Sequence, residues 1–436
     1  MQDRSERSMG VLNGLTILRF AHAYESGGGV EQHLADLNKE LSRRNRITTI
    51  QMQLTLDPER LCETEEKIGD SLLLKVPLLA ERREIAPQAD RARSLFEKLQ
   101  QHALNLFIRT QSLNNIFIGN LFRWRRVPRR TGEPKGAGVK AAQIIHRFKV
   151  DLVVLHTIGG ADASEIIEVA TSAQIPIAIV NHFSNDRLGG ISVRQQVSQV
   201  HGVGGASSVG VPNYLKREFW NLSDAVDIGF YRPDNIRFLP REFTSPVIYA
   251  PARVTPEKGQ ADVIKIASIL KRRGLNTKVI FAGRIDSAKF ETKLREMALR
   301  EGLSDSVVFL GPLSLEEYRD WYGIAHVMVM PTYHQEGMPR TLIESQAMEV
   351  PPVVYNIGGM REGLINGKTG FLVRLGDLQG IAMAVESLIR NTDLHQRMAL
   401  AGRKYVEQKF SLQAFAERHE RFYLHVLKNR SNTFRS

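Results

Sequence analysis

The chain has 436 residues, 42% of them hydrophobic, and a formal net charge of +12. That is enough apolar material for the cores of two domains, and the basic surplus favours an anionic partner such as a nucleotide, a phospholipid surface or nucleic acid. A single cysteine, Cys62, excludes an internal disulfide and a thiolate metal cluster, and the polar start MQDRSERSMG lacks the apolar core of a signal peptide. No apolar run approaches the length of a membrane span, so a cytosolic location is expected.

In chain order, TILRF is the first β-rich apolar run; the glycines Gly27, Gly28 and Gly29 and a helix-like segment from Val30 follow it. Glycines between a strand and a helix let the backbone approach a ligand, although the G-x-G-x-x-G spacing of a dinucleotide site is missing. From about residue 95 to 140 the alternation breaks into an amphipathic helical stretch and then the basic LFRWRRVPRRTGEPKGAGVK. Two readings of this arm stay open. Its apolar residues, Phe107, Phe117, Phe122 and Trp124 among them, and Arg123, Arg125, Arg126, Arg129 and Arg130 can dock on an anionic membrane surface on the inner face. Alternatively the apolar residues pack into the domain and the arginines form a solvated loop.

Alternation resumes with DLVVLH, ending at His156, and IPIAIVNHF, where His182 follows the strand. Pro and polar residues interrupt it at YRPDNIRFLPREFTSP, residues 231–246, and it returns in SPVIYA, KVIFAG, VVFLG, HVMVMP and PPVVY. Parallel sheets with crossover helices repeat this pattern, here twice. The expected fold is therefore α/β with two Rossmann-like domains facing across a cleft, residues 1–240 and 241–410. The closing SLQAFAERHERFYLHVLKNR reads as an amphipathic helix over 411–430, capped by Ser411, that rejoins the first domain.

The chemistry concentrates in HQEGMPRTLIESQAM, residues 334–348, directly after HVMVMP. Glu336 stands in a loop, Gly337 allows close approach, and Met338, Pro339 and Arg340 open a helix, with Pro339 in its first turn and Glu344 about two turns in. Unpaired amides and the positive dipole end at a helix start suit a diphosphate. A nucleotide sugar has matching parts in matching order: hydroxyls of the hexose for Glu336, the diphosphate for the amides, hydroxyls of the ribose for Glu344. The competing reading is a capped amphipathic helix carrying two surface glutamates.

The segment has the E-x7-E signature of the retaining GT-B glycosyltransferases, glycosyl transferases group 1, and further stretches resemble that family in the same order. ARVTPEKG, residues 252–259, is similar to its basic loop, VDIGFYRP to its interdomain segment, NIGGMREGLINGKTGFLV to the stretch beyond the signature helix, and GGGVEQH to its Gly-rich loop. The resemblance implies metal-independent, retaining transfer from a nucleotide sugar to a glycan or lipid-linked acceptor, in cell-surface polysaccharide or glycolipid synthesis. It implies that Arg253 and Lys258 stabilise the leaving diphosphate, that Glu336 and His182 face the transferred sugar, and that Gly28, Gly29, Gly337, Met338, Pro339, Arg340 and Glu344 bind the donor. No cofactor or metal is implied, in agreement with the absence of any Asp-x-Asp pair.

Some positions depart from the family pattern. Ala252 precedes the basic-loop arginine and Glu349 follows the signature helix where glycine is usual, Val350-Pro351-Pro352 opens the next strand, and Arg284 sits where a small or acidic residue is common beside the base. Rival readings are an epimerase or phosphorylase on the same architecture and a non-catalytic nucleotide-sugar-binding protein. A nucleic-acid binder is disfavoured, because no basic face carries interleaved aromatics.

Overall fold

Each short apolar run becomes a strand with every residue buried in β5 (Leu152–Leu155), β6 (Ile177–Asn181), β9 (Val247–Pro251), β12 (Val327–Met330) and β13 (Pro352–Tyr355). Burial on both faces is what a parallel sheet sandwiched between helices requires. The structure, a computed structural model, describes residues 14–22, 36–41, 43–44, 47–55, 64–68, 71–77, 136–156, 161–182, 197–205, 207, 211, 219–237, 244–335 and 337–429. Cys62, the glycines Gly27 to Gly29, Glu336 and the arm up to residue 135 lie outside these residues.

The first sheet has eight strands in the order β3-β4-β2-β1-β5-β6-β7-β8, the other members being β1 (Thr16–His22), β2 (Thr48–Thr55), β3 (Thr64–Ile68), β4 (Ser71–Pro77), β7 (Gly202–Gly205) and β8 (Phe219–Asn221). Among the described strands of this sheet, only β3, paired with β4, runs antiparallel. Helices α1 (Ala137–Phe148) and α2 (Ala161–Ser172) cover one face, where Ile144 and Ile166 meet Val153 and Ile179.

The second sheet is wholly parallel, with six strands in the order β11-β10-β9-β12-β13-β14; β10 is Lys278–Ala282, β11 Val307–Gly311 and β14 Phe371–Val373. Its helices are α3 (Gln260–Arg272), α4 (Ala288–Arg300), α5 (Leu315–Tyr322), α6 (Arg340–Ala347), α7 (Met360–Gly363), α8 (Leu378–Arg390) and α9 (Thr392–Lys409). Helices α3, α4 and α8 share one core face, α5, α6 and α9 the other. The strand order reverses between β9 and β12, the switch point at which open α/β sheets form a ligand crevice.

The last helix, α10 (Leu412–Lys428), returns to the first sheet. Ser411 caps it by accepting from Ala414 N at 3.3 Å, and Phe415, Phe422 and Val426 are buried with Ile17, Leu152 and Val180. Val226 and Tyr231 are already buried with Val247 in the second core, so the outbound crossing lies ahead of the expected join at 231–246. It runs beside the return crossing, since Val226 N donates to Phe410 O at 2.8 Å and Val226 bridges to Ser411. No helix among the described residues is long and apolar enough to cross a membrane.

Glu349, just beyond α6, takes φ 59, the left-handed conformation that favours glycine. Its amide donates to Gln346 O at 3.1 Å and the Val350 amide to Ser345 O at 2.8 Å, so the turn is required to end the helix. Glu349→Gly should therefore stabilise the protein by about 0.5–1 kcal/mol, the relief of left-handed strain less the backbone entropy of glycine. Urea unfolding checks this; an equal or lower midpoint would show that the glutamate carries no strain.

Candidate active site

Two loops flank the switch point. After β9, Ala252 N donates to Ala282 O and Val254 N to Arg284 O, each at 2.9 Å, which zips this loop to the one after β10. Gly283, at φ 146, permits the approach; a side-chain carbon there would lie 2.2 Å from Ala252 O. Arg253 Nη1 donates to Asp286 Oδ2 at 2.9 Å and Arg284 Nε to Asp286 Oδ1 at 2.7 Å, so one carboxylate holds two guanidiniums. The Arg253 side chain is 53% exposed. Lys258 closes a short 3-10 turn, Pro256–Lys258, and Gly259 follows at φ 77, where an added carbon would stand 2.0 Å from Pro331 O.

The loop after β12 is tied to the first by the Glu257 carbonyl, which accepts from Thr332 Oγ1 at 3.1 Å and from Tyr333 N at 2.8 Å. Glu336 lies outside the described residues, between Gln335 and Gly337. The Gly337–Met338 backbone is pressed against Gly359, where a side-chain carbon would come within 2.6 Å of Gly337 C. Pro339 is not in the first turn as expected. It is the N-cap, with φ −69 and ψ 138, since ψ there is still extended, and no side chain caps the helix. The free amides of the α6 start therefore follow Gly337 and Met338 directly.

Because α6 begins at Arg340, Glu344 is its fifth residue, a little over one turn in rather than two. It is buried, 9% exposed. Its Oε1 is 3.7 Å from Arg340 Nε, and the Tyr231 hydroxyl donates to it. Arg340 reaches across to the first domain, where Nη2 donates to Asp36 Oδ2 at 3.1 Å, while Nη1 is buried without a hydrogen-bond partner among the described residues. The residue expected to touch the donor is thus already engaged by two carboxylates.

On the first sheet, His156 and His182 come together at the ends of the adjacent strands β5 and β6. His156 Nδ1 lies 2.8 Å from His182 Nε2, and the rings stack with centroids 5.1 Å apart. His156 is 1% exposed and His182 half-buried. A lone histidine after a strand gives no local signal of such pairing; it arises only because β5 and β6 lie side by side in the sheet. His201 accepts from Ile177 N at 3.1 Å and has a structural task. Gly28 and Gly29 are outside the described residues. Asp286 and Tyr231 are the site neighbours that the sequence did not single out.

Burial is the largest influence on the Glu344 carboxyl and holds it above its ordinary 4.5, against the pull of Arg340 and the Tyr231 hydroxyl. The folded chain therefore binds this proton more tightly than the unfolded chain. The resulting stabilisation is full below pH 4.5 and is lost as the pH rises through the folded value. Glu344→Gln cannot titrate, so its unfolding free energy should improve relative to wild type as the pH climbs from 4.5 towards neutrality. A difference that stays constant with pH would contradict the burial effect.

Residues 232–405 match the family described as glycosyl transferases group 1. The chain is similar to the capsular polysaccharide biosynthesis glycosyltransferase CapM of Staphylococcus aureus, 33% identical over 184 residues, 40% of this chain and 45% of that protein. It is also similar to a GDP-mannose-dependent alpha-(1-6)-phosphatidylinositol monomannoside mannosyltransferase of Mycobacterium tuberculosis, 28% identical over 196 residues, 42% of this chain and 50% of that protein. The chain spans about half the length of these curated relatives. Its fold is similar to that of a glycosyltransferase from Rickettsia africae, with TM-score 0.67, 19% identity and coverage of 96% of this chain and 100% of that one. Anabaena HepE in complex with UDP gives TM-score 0.66 at 16% identity, covering 93% and 99%. These likenesses show the GT-B architecture of two Rossmann-like domains. The likeness to the glycosyl transferases group 1 family thus runs over residues 232–405.

Proposed function

We propose that the protein is a metal-independent, retaining glycosyltransferase that moves a sugar from a nucleoside diphosphate donor to a glycan or lipid-linked acceptor. The observation that carries this reading is that the loop after β9, with Arg253 and Lys258, and the loop after β12, which leads to the uncapped start of α6, flank the switch point between the two strands. Cations and free amides aimed at one crevice suit a diphosphate. The Anabaena neighbour complexed with UDP supports a nucleotide there, and the relatives named for capsular polysaccharide and for a phosphatidylinositol mannoside support a cell-surface glycan or glycolipid product.

In this mechanism Glu344 accepts from the ribose hydroxyls, and the amides after Pro339 hold the diphosphate. Arg253 and Lys258 take up the negative charge that develops as the bond to the sugar breaks. Glu336 orients the hexose hydroxyls, His182 faces the transferred sugar, and Gly28 and Gly29 let the chain approach the phosphates. The acceptor oxygen attacks from the face that the diphosphate leaves, through an oxocarbenium-like state, and the departing phosphate accepts the acceptor's proton. Charge stabilisation by two fixed cations does the work that a divalent metal does elsewhere.

Release of free nucleoside diphosphate from a panel of nucleotide sugars tests the activity. Turnover should survive a strong chelator; loss that magnesium restores would contradict metal independence. Arg253→Ala or Lys258→Ala should each reduce kcat/KM by about 2 to 4 kcal/mol in transition-state stabilisation. Glu336→Ala should mainly lower kcat, whereas Glu344→Ala should mainly weaken nucleotide binding, because ribose contacts serve ground and transition states alike. Wild-type kinetics in both glutamate variants would sink the assignment.

A further inference from the structure

One buried carboxylate near the site takes no part in the mechanism above. Asp262 lies in the first turn of α3, four residues after Lys258, and is 6% exposed. Its Oδ2 accepts from the Tyr333 hydroxyl at 2.6 Å and from the Tyr355 hydroxyl at 3.0 Å, and Lys265 Nζ stands 3.4 Å from Oδ1. These groups come from three adjacent strand ends: α3 follows β9, Tyr333 follows β12, and Tyr355 closes β13. The two rings meet edge to face, with centroids 5.7 Å apart.

We propose that Asp262 is a positioning residue for the transfer: by holding the Tyr333 hydroxyl it sets the loop that carries Glu336 against the loop that carries Lys258. The inference rests on the transferase reading. Tyr333 is three residues from Glu336, and its own amide donates to Glu257 O at 2.8 Å, beside Lys258. The two loops are therefore joined at the Glu257 carbonyl, by the Tyr333 amide and the Thr332 hydroxyl, and again through side chains at Asp262. Burial, ahead of the interaction with Asp262, pushes both tyrosines well above their ordinary 10, so they remain neutral donors at any working pH.

A purely structural account is also available, because a carboxylate in the first turn of a helix stabilises it through the dipole. The two accounts separate on kinetics. A helix-stabilising carboxylate alters how much protein folds, whereas a positioning carboxylate alters kcat in the folded fraction. Misplacing a reacting group by about 1 Å costs on the order of 100-fold in rate.

The test uses the full chain carrying Tyr333→Phe, Asp262→Asn or Asp262→Ala, with UDP as the binding probe. Tyr333→Phe removes only the hydroxyl and keeps the ring in place, so it decides the matter should Asp262→Ala not fold. We expect kcat for nucleoside diphosphate release to fall about 10- to 100-fold in Tyr333→Phe. UDP affinity should stay within about threefold of wild type, because the ribose and phosphate contacts remain, and Asp262→Asn, which keeps one acceptor oxygen, should restore part of the rate lost in Asp262→Ala. Hydrogen exchange should rise in the peptide spanning residues 331–338 in each variant. Wild-type kcat in Tyr333→Phe, or unchanged exchange in that peptide, overturns the proposal. If wild type turns over no nucleotide sugar while exchange rises in the variants, the transferase reading falls and the holding of the loop by Asp262 stands.

Discussion

The second domain is organised by a contact between two backbones: Gly259, at φ 77, lies against the carbonyl of Pro331, where any side chain would collide at 2.0 Å. Strands β9 and β12 are neighbours in the sheet, but neighbouring strands can send their loops apart, and here they do not. The contact brings Lys258 beside the segment that leads to Glu336, and the Glu257 carbonyl then accepts from both Thr332 and Tyr333. Gly283 acts in the same way between the loops after β9 and β10, leaving Arg253 within reach of Asp286. Main-chain proximity thus sets the spacing of the candidate site, and the charged side chains hang on that frame.

The same economy joins the two domains. The chain leaves the first sheet after β8 and returns through Ser411, and the two crossings run side by side at Val226 and Ser411. Arg418 spans both, donating to Lys409 O and to Ser223 O, while Arg403 holds the carbonyls of Ile228, Tyr231 and Ala347. Further contacts cross between the halves at Arg340 with Asp36 and at Asn221 with Glu362. Inside the first domain, α10 is fastened by Tyr423, whose hydroxyl accepts from the fully buried Arg19 at 3.3 Å. Burial, the largest influence on that guanidinium, pulls it below its ordinary value. With no carboxylate partner among the described residues, a cation at this depth is tolerable because Tyr423 and Asn38 both accept from it.

Most of the architecture was legible because β-branched apolar runs pair as parallel strands wherever amphipathic stretches separate them, and TILRF, DLVVLH, SPVIYA and HVMVMP all did so. β7 was not. Three of its four residues are glycine, chosen by tertiary packing: a side-chain carbon on Gly202 would meet Val426 at 2.5 Å, on a helix more than 200 residues away. The candidate site divides along the same line. Positions fixed by local pattern, such as Arg253, Lys258, Gly337 and Glu344, could be named from sequence, whereas their partners could not. Asp36, Asp286 and Asp262 carry no motif, and nothing local in VDIGFYRP marks Tyr231 as the partner of Glu344; Asp36 meets Arg340 only where the two domains touch. Pro339 was placed one position too far into its helix, because a proline at a cap and one in the first turn read alike in sequence.

Exposure separates the two arginines that sequence assigned to the same donor. Arg253 is half exposed and Asp286 about a quarter exposed, so their ion pair is screened by water and worth at most about 1 kcal/mol. Such a pair keeps a flexible side chain near one place while leaving it free to change partners, and a diphosphate that displaces water would strengthen every charge interaction in the crevice. Arg340 is in the opposite condition. Its side chain is only 15% exposed, with Asp36 and Glu344 against it, and turning it towards a phosphate would part it from two largely buried carboxylates. On the proposed mechanism Arg340 is therefore better suited to hold Glu344 in line than to leave it for a phosphate. On that same proposal the carboxylate it orients faces the donor, and Arg253 is the arginine placed to meet the phosphates.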